Sequence, residues 1–291
     1  MYLNHKIACV VLNYNDSDQV LEFLSNIYKF ELIDNIIVVD NCSTDGSFSR
    51  LKKANSLKVS VWKSEFNGGY GYGNNYGVKI AKDKFHSDIA FICNPDIRFD
   101  EDLLKNIVRV FDSNPIVAVC SAIQINGFTN KRINKLAWKT PTYFSYLASS
   151  LYIVNKMCNK NPYNYFENET TVECVPGAFL AVDIEKFLSC GGYDERVFLF
   201  CEESILGFKM KRYGYKTVLL TNKNYYHFHS TSIKKSIPKE MYRHRLLLNS
   251  RLFYIDNYLN VGKMKHYFAK IVFWFSMVEF WFIFKIRGSF N

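Results

Sequence analysis

Three observations predict an α/β fold with a mostly parallel central sheet and helices on both faces. Short β-branched runs alternate with helical patterns over the first 125 residues. The runs are apolar throughout rather than at alternate positions, which is the mark of strands covered on both faces. With 291 residues, 48% hydrophobic and 22% charged, the chain can bury a sizeable core as one large domain or two small ones. That composition excludes disordered, collagen-like and low-complexity chains.

Ile7–Leu12 reads as the first buried strand, and Asp16 is placed to cap a helix to about Phe30, with Val20, Leu21, Leu24 and Ile27 on one face. Ile36–Val39 and Val59–Trp62 are the second and third strands. A glycine-rich turn follows, then a helix to about Lys82. Ile89–Cys93 is the fourth strand. Asp100, Glu101 and Asp102 open a helix from Leu103 to Phe111, acid at the end where the macrodipole favours it. Val117–Cys120 is the fifth strand. From Asn126 to Thr170 periodicity is weak, as in a variable excursion beside a site. Order returns with a strand over 177–183, a short helix to Leu188, a Gly191-Gly192 turn, a helix from Glu202 to Tyr213, a strand Thr217–Leu220 and a helix over 238–258.

The first apolar run is six residues long and leads straight into Asn13-Tyr14-Asn15-Asp16, which does not read as a signal peptide. None of the eight cysteines forms a C-x-x-C pair, and Cys9 and Cys93 sit inside apolar runs. A reduced, cytosolic chain without structural zinc is expected, with the sequons at Asn41 and Asn168 idle. The formal net charge of +10 is uneven: from Thr231 onward eleven Lys/Arg face three acids, so +8 belongs to the C-terminal segment.

In an open parallel sheet, ligands bind beyond the carboxyl ends of the strands. Four successive strand ends carry polar residues: Asn13-Tyr14-Asn15, then Asp40-Asn41-Cys42-Ser43-Thr44-Asp45-Gly46-Ser47, then Asn67 to Asn75 with four glycines, then Asn94-Pro95-Asp96. Taken singly, each reads as a turn or a helix cap. The glycine-rich segment is similar to a phosphate cradle, although its spacing is not G-x-G-x-x-G.

In this order the series resembles the nucleotide-sugar half of family 2 glycosyltransferases with the GT-A fold. Pro176–Asp183, Gly191–Glu195, Phe198–Glu203 and Lys211–Lys216 resemble the acceptor half of the same family. The likeness spans about residues 5 to 235 and is nearest the bacterial rhamnosyltransferase-like branch, where Asn-Pro-Asp stands for Asp-x-Asp. It implies a GT-A domain over 1–235, with a nucleotide-sugar half to 125 and an acceptor half from 126, and a basic helical segment over 236–291.

By this resemblance, Asp96 contacts a divalent cation, Mg²⁺ or Mn²⁺, that neutralises the departing diphosphate. Asn94 replaces the first carboxylate and lowers the expected metal affinity. Asp40 matches a position that hydrogen-bonds the nucleotide base, Asn13 and Tyr14 line the base pocket, and Asn67 and Asn75 belong to the donor-binding set. His227 and His229 match a segment near the diphosphate, as metal ligands or phosphate contacts. The acceptor hydroxyl must lose a proton as it attacks, and the family uses the second carboxylate of an acidic pair at a helix start. Here that is Glu203, with Glu202 as alternative base or orienting group; dipole complementarity is the bland reading. Direct displacement inverts the anomeric centre.

Ile271–Phe284 is nearly unbroken Ile, Val, Phe and Trp, interrupted by Ser276 and Glu279 and flanked by five Lys/Arg. Fourteen helical residues reach roughly 21 Å, short of a ~30 Å hydrocarbon core. A basic aromatic segment of that length suggests an interfacial anchor on anionic lipid. Packing on the body, or on a second subunit of a homodimer, is the alternative. No nucleic-acid module is recognised. The expected protein is therefore an inverting transferase on the cytoplasmic face of a bacterial inner membrane. It would move rhamnose from dTDP-rhamnose to a polyprenyl-diphosphate-linked glycan of an O-antigen or capsule. A UDP-hexose or UDP-galactofuranose donor, and a non-catalytic GT-A-like scaffold, are the alternatives.

Overall fold

The computed structural model describes residues 2–158, 162–165, 168–228 and 239–288. Strand β1 (Ile7–Asn13) is apolar to its last residue and lies at the centre of a parallel unit. On one side it pairs with β2 (Asn35–Asp40), which pairs with β3 (Val59–Lys63); on the other it pairs with β4 (Ile89–Cys93). The alternation of side chains across a strand divides the core into two layers. Ile7, Cys9 and Val11 face α1 (Ser17–Ile27) and α4 (Glu101–Ser113). Ala8 and Val10 face α3 (Gly69–Phe85), α7 (Ile184–Ser189) and α8 (Glu202–Arg212). A short α2 (Ser47–Leu51) follows β2. Asp100 caps α4 by accepting from Leu103 N at 2.8 Å, whereas Asp16 holds the N-cap position of α1 without a side-chain cap bond.

Beyond β4 the sheet becomes mixed. β9 (Phe179–Asp183) runs antiparallel between β4 and β6 (Val117–Asn126). β6 pairs in parallel with β10 (Lys216–His227), whose register shifts between Leu220 and Asn224. The short β5 (Ile97–Arg98), β7 (Lys131–Arg132) and β8 (Glu169–Val172) add antiparallel edges. The excursion after Asn126 is more ordered than its sequence suggests: α5 (Tyr143–Ser150) opens on a Thr142–Ser145 capping box, and α6 (Tyr152–Cys158) follows.

The glycine-rich segment corrects an expectation. It is not a cradle before a helix but the first turns of α3 itself. Glycine costs about 1 kcal/mol against alanine inside a helix, and close packing returns it here. A Cβ on Gly77 would lie 2.4 Å from Val10 Cγ1, so only glycine lets the helix approach β1 this closely.

The C-terminal segment is docked on the body. Helices α9 (Glu240–Tyr258) and α10 (Lys263–Gly288) share one apolar cluster with α5 and α8, including Tyr146, Ile205, Tyr254, Ala269 and Phe273. The two polar interruptions of the last apolar run are its docking points. Ser276 Oγ donates to Ser150 O at 2.6 Å, and the Glu279 carboxylate accepts from Tyr152 N at 2.6 Å, capping α6. Its other face leaves Met264, Tyr267, Phe268, Ile271, Trp274, Phe275, Trp281 and Phe282 exposed, at the spacing of one helical stripe. No helix among the described residues is long and apolar enough to cross a membrane.

Candidate active site

The carboxyl ends of β1 and β2 form one corner of the site. Asn13 and Asp40 are register partners, and Asn13 Nδ2 donates to Asp40 Oδ1 at 2.7 Å and to Ser43 Oγ at 3.1 Å. Asp40 Oδ2 accepts from Ser43 N at 3.0 Å. Asp40 is 0% exposed, and its carboxylate holds the 41–44 loop from behind. Tyr14 stands half-exposed at the end of β1.

Asn67 and Asn75 have structural tasks. Asn67 Oδ1 accepts from Gly69 N at 3.1 Å and Asn41 Nδ2 at 3.0 Å, fixing the start of α3. Asn75, 3% exposed, donates to Tyr193 O and Glu195 Oε1 and accepts from Tyr193 N, at 2.9–3.0 Å. Its amide is committed to the loop after Gly192.

Asp96 follows β4 and is 6% exposed; His227 ends β10 and is 9% exposed. The register of β10 on β5 brings them together, with His227 Nε2 3.2 Å from Asp96 Oδ1. His227 Nδ1 meets Gln124 Nε2 at 2.9 Å, and Gln124 Oε1 accepts from Tyr225 OH at 2.9 Å, so the ring orientation is set from behind. His229 lies outside the described residues. Among the described residues no cluster of three or more His, Cys, Asp or Glu could hold a metal.

The acidic pair lies at the start of α8. Phe200 (φ 71°) and Cys201 (φ 70°) both adopt the left-handed conformation there, a strain that non-glycine residues carry mainly at functional positions. The two carboxylates differ in surroundings. Glu202 is 4% exposed, its Oε1 has no hydrogen-bond partner among the described residues, and burial with the neighbouring Glu203 charge pushes its pKa up to about 8. Glu203 reaches a cavity and accepts from Gly177 N at 3.2 Å; burial raises its pKa too. A Cβ at Gly177 would stand 2.6 Å from Glu203 Oε1, so this backbone must be glycine to let the carboxylate in.

The cavity holds about 890 Å³. Asn94 and His227 line it from the strand ends and Glu202 and Glu203 from α8. Lys135, Trp138 and Arg251 close it from the excursion and from α9, and no local sequence signal distinguishes these three from surface residues.

The sequence profile of glycosyl transferase family 2 matches residues 8–180. Rhamnosyltransferase WbbL of Escherichia coli K12 is 22% identical over 213 residues, 72% of this chain and 78% of that protein. The low-salt glycan biosynthesis hexosyltransferase Agl10 of Haloferax volcanii is 20% identical over 213 residues, 71% of this chain and 62% of that one. A mannosyltransferase from Pyrobaculum calidifontis, solved with GDP-Man and Mn²⁺, superposes with TM-score 0.59 at 16% identity over 90% of this chain and 66% of that one. TarS 1–349 of S. aureus, solved with UDP-GlcNAc, superposes with TM-score 0.57 at 16% identity over 92% of this chain and 70% of that one. The chain thus spans less than two thirds of Agl10 and of the mannosyltransferase. The profile covers more than half of the sequence, and the fold is that of GT-A glycosyltransferases: the chain belongs to glycosyl transferase family 2.

Proposed function

We propose that the chain is an inverting glycosyltransferase that carries one sugar from a nucleotide-diphosphate donor to a lipid-linked glycan acceptor in bacterial surface polysaccharide assembly. The observation that carries this reading is the shared cavity. It joins Glu203, at the start of α8, to His227, which is paired with Asp96 at the strand ends.

In this mechanism the acceptor oxygen attacks the anomeric carbon while the bond from that carbon to the diphosphate oxygen breaks. The hydroxyl proton passes to Glu203, and the nucleoside diphosphate departs with the bonding electron pair. One displacement inverts the centre. Glu203 suits the base because it reaches the cavity and its raised pKa strengthens its pull on a proton. Glu202, buried and with its pKa raised to about 8, suits an orienting role. Asn13 and Asp40 hold the loop beside Tyr14 as a base pocket.

One carboxylate and one imidazole 3.2 Å apart are a donor pair that would fit a divalent cation. Asp96 and His227 would hold Mg²⁺ or Mn²⁺, which when bound neutralises the leaving diphosphate; the mannosyltransferase with Mn²⁺ supports this.

dTDP-rhamnose is the leading donor, supported by the rhamnosyltransferase relative and by the Asn94-Pro95-Asp96 form. The hexosyltransferase relative supports a UDP-hexose donor as the second reading. The exposed aromatic stripe of α10, with Lys263, Lys265 and Lys270 beside it, supports a place on an anionic membrane face.

Two measurements test the reading. Thermal stabilisation by nucleotide diphosphates, with and without Mn²⁺, should reach about 2.7 kcal/mol at a hundredfold excess over the dissociation constant. A metal-enhanced shift for dTDP or UDP is expected; no shift with any nucleotide rejects the donor site. Glu203→Gln should lower kcat by roughly 10²- to 10⁴-fold and leave nucleotide binding intact. Undiminished glycan assembly by that variant would move the protein to a scaffolding role.

A further inference from the structure

We infer that Lys135 and Arg251 form an anion subsite for a phosphate group carried by the acceptor. Both line the 890 Å³ cavity, on the wall made by the 126–170 excursion and α9 rather than by the strand ends. Arg251 is held in place: Nη1 donates to Ser150 Oγ at 2.6 Å, and the guanidinium lies 5.4 Å from the Tyr146 ring centroid. Its Nε is buried and has no hydrogen-bond partner among the described residues. Lys135 Nζ sits 4.6 Å from the Trp138 ring centroid. Among the described residues neither cation has a carboxylate within 4.0 Å.

Two cations facing one cavity repel each other, and each lowers that cost by sharing an anion. The pKa of Lys135 is lowered, first by desolvation on the cavity wall and then by Arg251. The cavity lining carries three cations, Lys135, Lys139 and Arg251, against the two carboxylates Glu202 and Glu203, and burial holds the Glu202 pKa above the ordinary carboxylate value. A lysine with no carboxylate in ion-pair contact among the described residues, a guanidinium fixed by Ser150 and a concave aromatic wall together match a phosphate oxygen cluster.

Two substrates could bring phosphate here, the donor and the acceptor. The donor's diphosphate belongs beside Asp96 and His227, at the strand ends. The subsite also joins the docked helices: Ser150, which holds Arg251, is the residue to which Ser276 of α10 donates. A phosphate placed there would carry its apolar remainder toward α9 and α10. The assignment of the anion to the acceptor rests on the transferase reading; the existence of the subsite does not.

The test is calorimetric titration of the full chain with geranyl diphosphate, geraniol, dTDP and UDP, the nucleotides with Mn²⁺. Geranyl diphosphate should bind and geraniol should not. Lys135→Gln and Arg251→Gln should each weaken geranyl diphosphate by about tenfold or more and leave nucleotide affinity unchanged. Arg251→Lys should recover part of the loss. Lys135 has an exposed side chain, so its variant answers the question even where Arg251→Gln fails to fold. Equal affinity of wild type and variants for geranyl diphosphate, or none in the wild type, overturns the subsite. A matching fall in nucleotide affinity would assign the cations to the donor and overturn the acceptor claim. Absence of nucleotide binding in the wild type counts against the transferase reading, while the geranyl diphosphate arm still decides the subsite.

Discussion

Glu202 and Glu203 are consecutive, yet the helix start gives them different chemistry. The 100° step between neighbours leaves Glu202 buried and Glu203 half-buried, both on the cavity wall. The buried proton on Glu202 has a stability consequence. The folded state holds it up to a pKa of about 8, against an ordinary value of 4.5. Between these values the folded state binds more protons than the unfolded chain, so stability falls as pH rises across the window. The favourable contribution is complete only below pH 4.5 and is lost above about 8. Glu202→Gln should therefore melt higher than wild type at pH 8.5 and alike at pH 4.5 in scanning calorimetry. Equal melting temperatures at the higher pH would show that Glu202 ionises without penalty. With Glu203 as the proposed base, its raised pKa predicts an acid limb of kcat/KM shifted upward from the ordinary carboxylate value.

At the scale of elements, α10 is two-faced. Ala269, Phe273 and Ser276 pack inward, while the stripe from Met264 to Phe282 meets solvent. Propensity does not hold a helix in one place on a surface; side-chain bonds at its contacts do. Glu279 performs that task by capping α6 at Tyr152 and Ile153. Replacing it by alanine should cost about 1 kcal/mol and raise hydrogen exchange in both α6 and α10. Faster exchange in α6 alone would mean that α10 is held by its apolar face without the cap. The sequence reading left Ser276 and Glu279 as interruptions of an apolar run, because their partners lie more than 120 residues away. Helix α3 was legible as a helix, but its glycines were not legible as packing residues, since Val10 meets Gly77 only after the sheet forms.

For the whole molecule, charge and apolar exposure coincide at one end. The segment from Thr231 carries +8 of the +10 net charge, and the same segment carries the exposed aromatic stripe. If this face meets lipid, each added lysine near an anionic surface contributes about 1 kcal/mol, screened over a Debye length. The chain should co-sediment with phosphatidylglycerol vesicles at low salt and less at high salt or with phosphatidylcholine alone. Trp274→Glu with Phe275→Glu should abolish this and keep the melting temperature, because both side chains are exposed. Retained binding by the double variant would exclude the stripe, and a shift to monomer in sedimentation velocity would instead reveal a dimer face.

Local pattern alone determined the strands of the nucleotide half, the polar rim at their ends and the acidic pair at a helix start. Those features depend on period, capping and turn chemistry within a dozen residues. Tertiary structure decided the antiparallel insertion of β9, the pairing of Asp96 with His227 across more than a hundred residues, and the wall of Lys135, Trp138 and Arg251. It also decided that Asn75 serves a loop and that the basic tail is a docked pair of helices. Each of these is a contact between segments remote in the chain. Its partner is fixed by sheet order and helix packing, and neither leaves a periodic trace in the residues that make it.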